Sequence, residues 1–102
     1  MSKPCKTERC FAIEDLLFRR VMDGLSNKEI ADATGYAAVH VCRDLQLLES
    51  MGRVERRNGD RWVLTIRPLA NARAYQLNMA DMQRRGEELE NRINARAAQM
   101  MP

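Results

Sequence analysis

A chain of 102 residues, 45% of them apolar, has room for one small hydrophobic core and not for a second. Charges break every long apolar run, which excludes a membrane-spanning helix. The N-terminal Met-Ser-Lys-Pro-Cys-Lys-Thr-Glu-Arg lacks the apolar stretch of a signal peptide, so a cytoplasmic location is expected. The net charge of +3 is mild, and there is one histidine, no Gly-rich phosphate loop, no Ser nucleophile motif and no carboxylate cluster, so neither an enzyme nor a cofactor is expected.

Residues 7–23 carry Phe11, Ile13, Leu16, Leu17, Val21 and Met22 at helical spacing among Glu14, Asp15, Arg19 and Arg20. The spacing predicts a first helix that ends near Gly24 and packs against Ile30, Leu45 and Leu48. Ser26 and Glu29 have the spacing of a capping box, with Leu25 and Ile30 placed for a hydrophobic staple, so a short second helix starts there. Its apolar face is Ile30, Ala31 and Ala33, and Thr34-Gly35 ends it because Gly35 accepts the left-handed backbone of a helix exit. After a sharp turn, residues 37–51 place Val41, Leu45, Leu48 and Met51 on one helical face and His40, Arg43, Asp44 and Glu49 on the other. Gly52 stops this third helix. Residues 54–57 and 60–65 then flank Asn58-Gly59, the strongest short signal for a two-residue hairpin turn. Trp62, between Arg61 and Val63, suits a strand residue packed on the helices; the other reading is an aromatic that stacks on a sugar or base. Arg53, Arg56, Arg57, Arg61 and Arg67 gather around the hairpin against only Glu55 and Asp60.

Two helices across a tight turn followed by a hairpin is the order of a winged helix-turn-helix, a mainly α fold with a small β-hairpin wing, here continued by a long C-terminal helix. Thr34-Gly35-Tyr36, Val41, Arg43, Leu45, Leu48-Glu49, the run Met51-Gly52-Arg53-Val54-Glu55-Arg56 and the Asp60-Arg61-Trp62 hairpin resemble the DNA-binding domain of IclR-type bacterial regulators. The resemblance covers roughly the first two thirds of the chain. It implies binding of double-stranded operator DNA as a dimer. The helix beginning at Ala37 would be the recognition helix, with Ala38, Val39, His40 and Arg43 in the major groove and Arg56, Arg57, Asn58 and Arg61 near the backbone or minor groove. Where relatives usually carry Pro, Lys, Ser and Thr, this chain has Ala37, Ala38, Val39 and His40, so several base and phosphate donors are missing. The large ligand-binding domain of those regulators does not follow, and no small-molecule effector is expected.

Arg43 is the first candidate to read a base, through a bidentate contact to guanine, and His40 the second. Ala38 and Val39 suit a thymine methyl, while Lys28, Tyr36 and the arginines of the hairpin suit phosphates. The competing role for Arg43 is a surface salt bridge with Glu49 or Asp44. Cys5, Cys10 and Cys42 are an odd set without a CxxC pair, so reduced thiols are expected and no metal site. A zinc site with His40 would need two ligands one helical turn apart, and Cys42 lies two residues away instead. Cys42 and Cys10 are expected to be partly buried.

From Leu69 to Met100 the only Gly or Pro is Gly86, and the composition predicts a helix of roughly 45 Å, too long to fold back over so small a domain. This divides the chain into 1–67, the DNA-binding domain, and 68–102, a dimerisation helix. Ala72, Tyr75, Met79, Met82, Gly86, Leu89, Ile93 and Met100 fall on a and d positions of one heptad frame. Tyr75, Met79, Met82, Leu89 and Ile93 are the dimerisation candidates. Gly86 and Arg96 are defects in this seam. Arg85 at g and Glu90 at the next e make a favourable pair in a parallel dimer, and an antiparallel pair or a four-helix tetramer also fits the seam. A solvated helix that orders only on a partner is the bland alternative.

The expected function is sequence-specific DNA binding by a homodimeric transcriptional regulator, on half-sites about one helical turn apart. Two alternatives compete with it: a protein-interaction module using the depleted third helix and Met79, Met82, Met100 and Met101, or a non-specific architectural DNA binder.

Overall fold

The computed structural model describes residues 3–101. Its elements run α1 (Lys6–Phe18), β1 (Leu25–Ser26), α2 (Asn27–Thr34), α3 (Ala38–Ser50), β2 (Val54–Arg57), β3 (Arg61–Leu64) and α4 (Ile66–Met100). The protein is mostly helical, with one small three-stranded antiparallel sheet and a long C-terminal helix. It divides into two compact units between Leu69 and Ala70.

In the first unit the capping box forms as its spacing demands: the Ser26 hydroxyl accepts from the Glu29 amide at 3.2 Å, and the Glu29 carboxylate accepts from the Ser26 amide at 3.1 Å. Gly35 closes α2 in the left-handed conformation, φ 76°. The first helix is shorter than expected. It ends at Phe18, and the Arg19 and Arg20 amides bond back to the carbonyls of Leu16 and Leu17, which tightens the chain into a turn toward Gly24. That turn carries residues 25–26 alongside β3 as a third strand, in the order β1-β3-β2, with Leu25 opposite Trp62 and Ser26 opposite Arg61. Two residues are too short for an alternating pattern, so β1 left no mark in the sequence.

The core joins Ile13 and Leu17 of α1, Ile30 of α2, Val41, Leu45 and Leu48 of α3, and Val54, Trp62 and Leu64 of the sheet, all buried. Each such aliphatic side chain contributes about 1.5–3 kcal/mol on leaving water. Trp62 is a core residue, and its indole N–H donates to Asn27 Oδ1 at 2.7 Å, so its polar atom is satisfied inside. Four apolar residues assigned to helical faces are instead exposed: Phe11, Met22, Ala33 and Met51. Met22 lies beyond the end of α1, and Met51 is the residue that caps α3, where the helical periodicity has run out.

Asp44 departs furthest from expectation. Placed by periodicity on the outer face of α3, it is fully buried. Arg9 of α1 grips it with a two-pronged contact, Nε to Oδ2 at 2.8 Å and Nη2 to Oδ1 at 3.2 Å, and Lys6 Nζ approaches to 3.9 Å. The hydrogen bond to Asp44 pushes the Arg9 guanidinium above its ordinary value. A second fork, Arg53 to Glu14 at 2.9 and 2.6 Å, ties the segment before β2 to the same helix.

The hairpin turn differs from the two-residue form. Arg57 pairs with Arg61, which leaves Asn58, Gly59 and Asp60 in the loop, the first two with positive φ of 52° and 87°. The Asn-Gly signal is obeyed and Asp60 joins the loop rather than the strand. Helix α4 begins at Ile66, three residues before the expected start, because Pro68 sits in its first turn, where the missing N–H has no partner to lose. In the second unit every described residue is exposed except the half-buried Asp81. Among the described residues, no helix is long and apolar enough to cross a membrane.

Candidate nucleic-acid interface

The burial of Val41, Asp44, Leu45 and Leu48 fixes the rotation of α3 about its axis. Counting by 100° per residue, the face pointing away from the core is then Val39, Arg43, Gln46 and Ser50, all exposed, with Ala38 and His40 on its two flanks and also exposed. All four base-reading candidates therefore lie at the surface of the first two turns. Gln46 shares the outward row with Val39 and Arg43. Sequence reasoning passed over it, although the three-and-four spacing of Val39, Arg43 and Gln46 was there to find. Arg43 makes no ion pair or side-chain hydrogen bond among the described residues, and Asp44, one of its possible partners, belongs to Arg9. No side chain caps the start of α3 at Ala37, so the amides of its first turn are not engaged that way.

The arginines around the hairpin are much less free than their number suggests. Arg53 is bound to Glu14. Arg61 donates to the carbonyls of Asp23 and Gly24 at 2.9 and 3.0 Å and pairs with Glu29 at 3.0 Å, so its guanidinium staples the hairpin to the turn after α1. Arg67 reaches the Met51 carbonyl at 3.4 Å. The guanidinium carbon of the exposed Arg56 lies over the Trp62 ring, 4.9 Å from its centroid. Arg57 pairs with Glu55 at 3.3 Å on the open surface, a contact of little strength that a competing anion displaces. Asn58 sits exposed at the tip.

Lys28, in the first turn of α2, is exposed and shares one groove with Arg56, Asp60 and Trp62. Tyr36 is half-buried and packs against the core cluster. The fold thus brings Lys28 and Arg56 together, leaves Arg57 and Asn58 at the hairpin tip, and commits Arg61 internally.

Glu29 is held below the ordinary carboxylate range, first by the Ser26 amide and hydroxyl and then by Arg61. A lowered folded-state value means that this contribution is present at neutral pH and is lost as pH falls through the depressed value. Glu29→Gln is therefore expected to lower the neutral plateau of a melting-temperature profile and so flatten its acid limb, the variant and the parent converging at low pH. An unaltered acid limb in the variant would show that other carboxylates set it.

On α4 the dimerisation candidates Tyr75, Met79, Met82, Leu89 and Ile93 are 47–65% exposed, a stripe of apolar side chains facing water. Cys10 and Cys42 are half-buried, as their residue type suggests. No family model matches the chain, and no curated protein matches it.

Proposed function

We propose that residues 1–69 form a winged helix-turn-helix that binds double-stranded DNA, with α3 in the major groove and the β2–β3 hairpin as a wing against the backbone. In this reading the protein works as a homodimer held by α4 and regulates transcription in the cytoplasm. The observation that carries it is the outward face of α3, where Arg43 stands exposed and unpaired between Val39 and Gln46. A guanidinium left without a partner on a surface helix is free to take a guanine edge, a contact worth about 1–3 kcal/mol of discrimination. The order α2, turn, α3, hairpin and the residues that resemble IclR-type domains support the same reading.

Selection of a random duplex library by the purified protein at moderate salt tests it. Enrichment of an inverted repeat is expected. Arg43→Ala should relax one position in each half-site, and an unchanged profile would remove Arg43 as a base reader. Replacing Arg56 and Arg57 together should weaken all sequences alike and lower the slope of log affinity against log salt by roughly 2, one unit per phosphate released.

A second reading, a protein-interaction module, rests on the internal engagement of Arg53 and Arg61, which removes cations from the wing. It predicts no retention of duplex even at low salt.

A further inference from the structure

The exposed seam of α4 is uneven in size along its length, and the unevenness is itself ordered. Reflected about position 84, the seam positions from 72 to 96 fall into four pairs: Met82 meets Gly86, and Met79 meets Leu89. Further out, Tyr75 meets Ile93 and Ala72 meets Arg96. Every one of these is an a position against a d position, the pairing that antiparallel helices make. We propose that α4 packs against α4 of a second copy in antiparallel orientation, with Met82 filling the space beside the partner's Gly86. This rests on the homodimer reading and gives it a geometry.

Two packing terms favour the inversion. In a parallel, in-register pair Gly86 faces the partner's Gly86, and with no side chain on either the layer is a void. The same pairing sets Arg96 against the partner's Arg96 in a d layer, two like charges with no acid between them. Inversion replaces both by a large residue against a small one, and methionine is the side chain best able to fill an irregular gap.

The flanking charges pull the other way, weakly. A parallel pair would gain Arg85 against the partner's Glu90, and inversion brings Arg85 near the partner's Arg85. But Arg85 already pairs within its own helix with Asp81, Nε to Oδ2 at 3.0 Å, a carboxylate it shares with Arg84, and the Arg85 side chain is exposed, where such pairs count for little. Inversion also places Gln76 against the partner's Glu90, a neutral neighbour in place of Arg85. Packing therefore decides the orientation. In the inverted pair the two Leu69 positions, where the helices leave the first units, lie about 45 Å apart along the axis instead of side by side.

The test is disulfide formation in the full-length protein. Met82→Cys and Gly86→Cys are prepared separately, checked for unchanged helix content, then oxidised alone and after mixing, with linked peptides mapped by mass spectrometry. The proposal expects an 82-to-86 link in the mixture and neither an 82-to-82 nor an 86-to-86 link in the single variants. Links of 82 to 82 and 86 to 86 within the single variants, with no 82-to-86 link in the mixture, would overturn it in favour of a parallel pair while leaving the homodimer intact. Sedimentation of the unmodified protein as a monomer at micromolar concentration would overturn the homodimer and the orientation together. Tyr75→Cys mixed with Ile93→Cys repeats the test farther out, should Met82→Cys disturb the helix.

Discussion

Gly24→Ala is expected to cost the first unit more stability than any other single-methyl addition, about 3 kcal/mol or more, seen as a fall in melting temperature of roughly 15 °C. Two effects add. Gly24 has φ 67°, a conformation in which an L side chain crowds its own carbonyl. In addition, a Cβ there would fall onto the Trp62 carbonyl oxygen and within 2.6 Å of Val63 Cγ1, both held in the central strand of the sheet. The backbone of β3 cannot retreat without breaking its pairing with β1, at Leu25 opposite Trp62, and with β2, at Arg56 opposite Trp62. Gly35→Ala is the control. It has a similar φ of 76° and open space around it, so it should carry only the conformational cost, about 1 kcal/mol. Equal losses in the two variants would show that close approach to β3 is not what requires a glycine at 24.

Arg9→Met is expected to lower the melting temperature by at least about 10 °C, because it leaves a fully buried carboxylate with only Lys6 at 3.9 Å. The long apolar side chain of Met keeps most of the packing of the arginine stem, so the loss measures the missing partner rather than a cavity. Asp44→Leu in the same chain should restore most of what Arg9→Met removes, since an apolar pair of similar volume needs no counter-charge. A double variant no more stable than Arg9→Met would mean that the contact holds α1 against α3 by shape alone. The pair lies on the inner side of α3, under the outward row of Val39, Arg43 and Gln46. Loosening it should therefore also blunt any duplex selectivity carried by Arg43, whereas Arg43→Ala should leave the melting temperature unchanged.

The elements that short-range chemistry specifies are legible in the sequence. The capping box at Ser26 and Glu29, the glycine exit at Gly35, the hairpin signal at Asn58-Gly59 and the period of α3 each involve residues within a few positions of one another. Side chains that close along the chain meet in every compact form it can adopt, so their interactions appear as spacing. The burial of Trp62 was likewise readable, because an aromatic between strand neighbours has few other places to go.

What the sequence by itself determined is therefore the set of helices, the ends of α2 and α3 and the presence of the hairpin. Tertiary structure decided which polar residues are free. Asp44 looked solvent-facing until Arg9, 35 positions away, turned it inward, and Arg61 looked like a phosphate ligand until the carbonyls of Asp23 and Gly24 claimed it. The two-residue strand β1 exists only because the turn after α1 lays it beside β3. In each case the deciding partner is more than thirty residues away, and which distant groups meet is set by how the helices and the sheet close over one shared core.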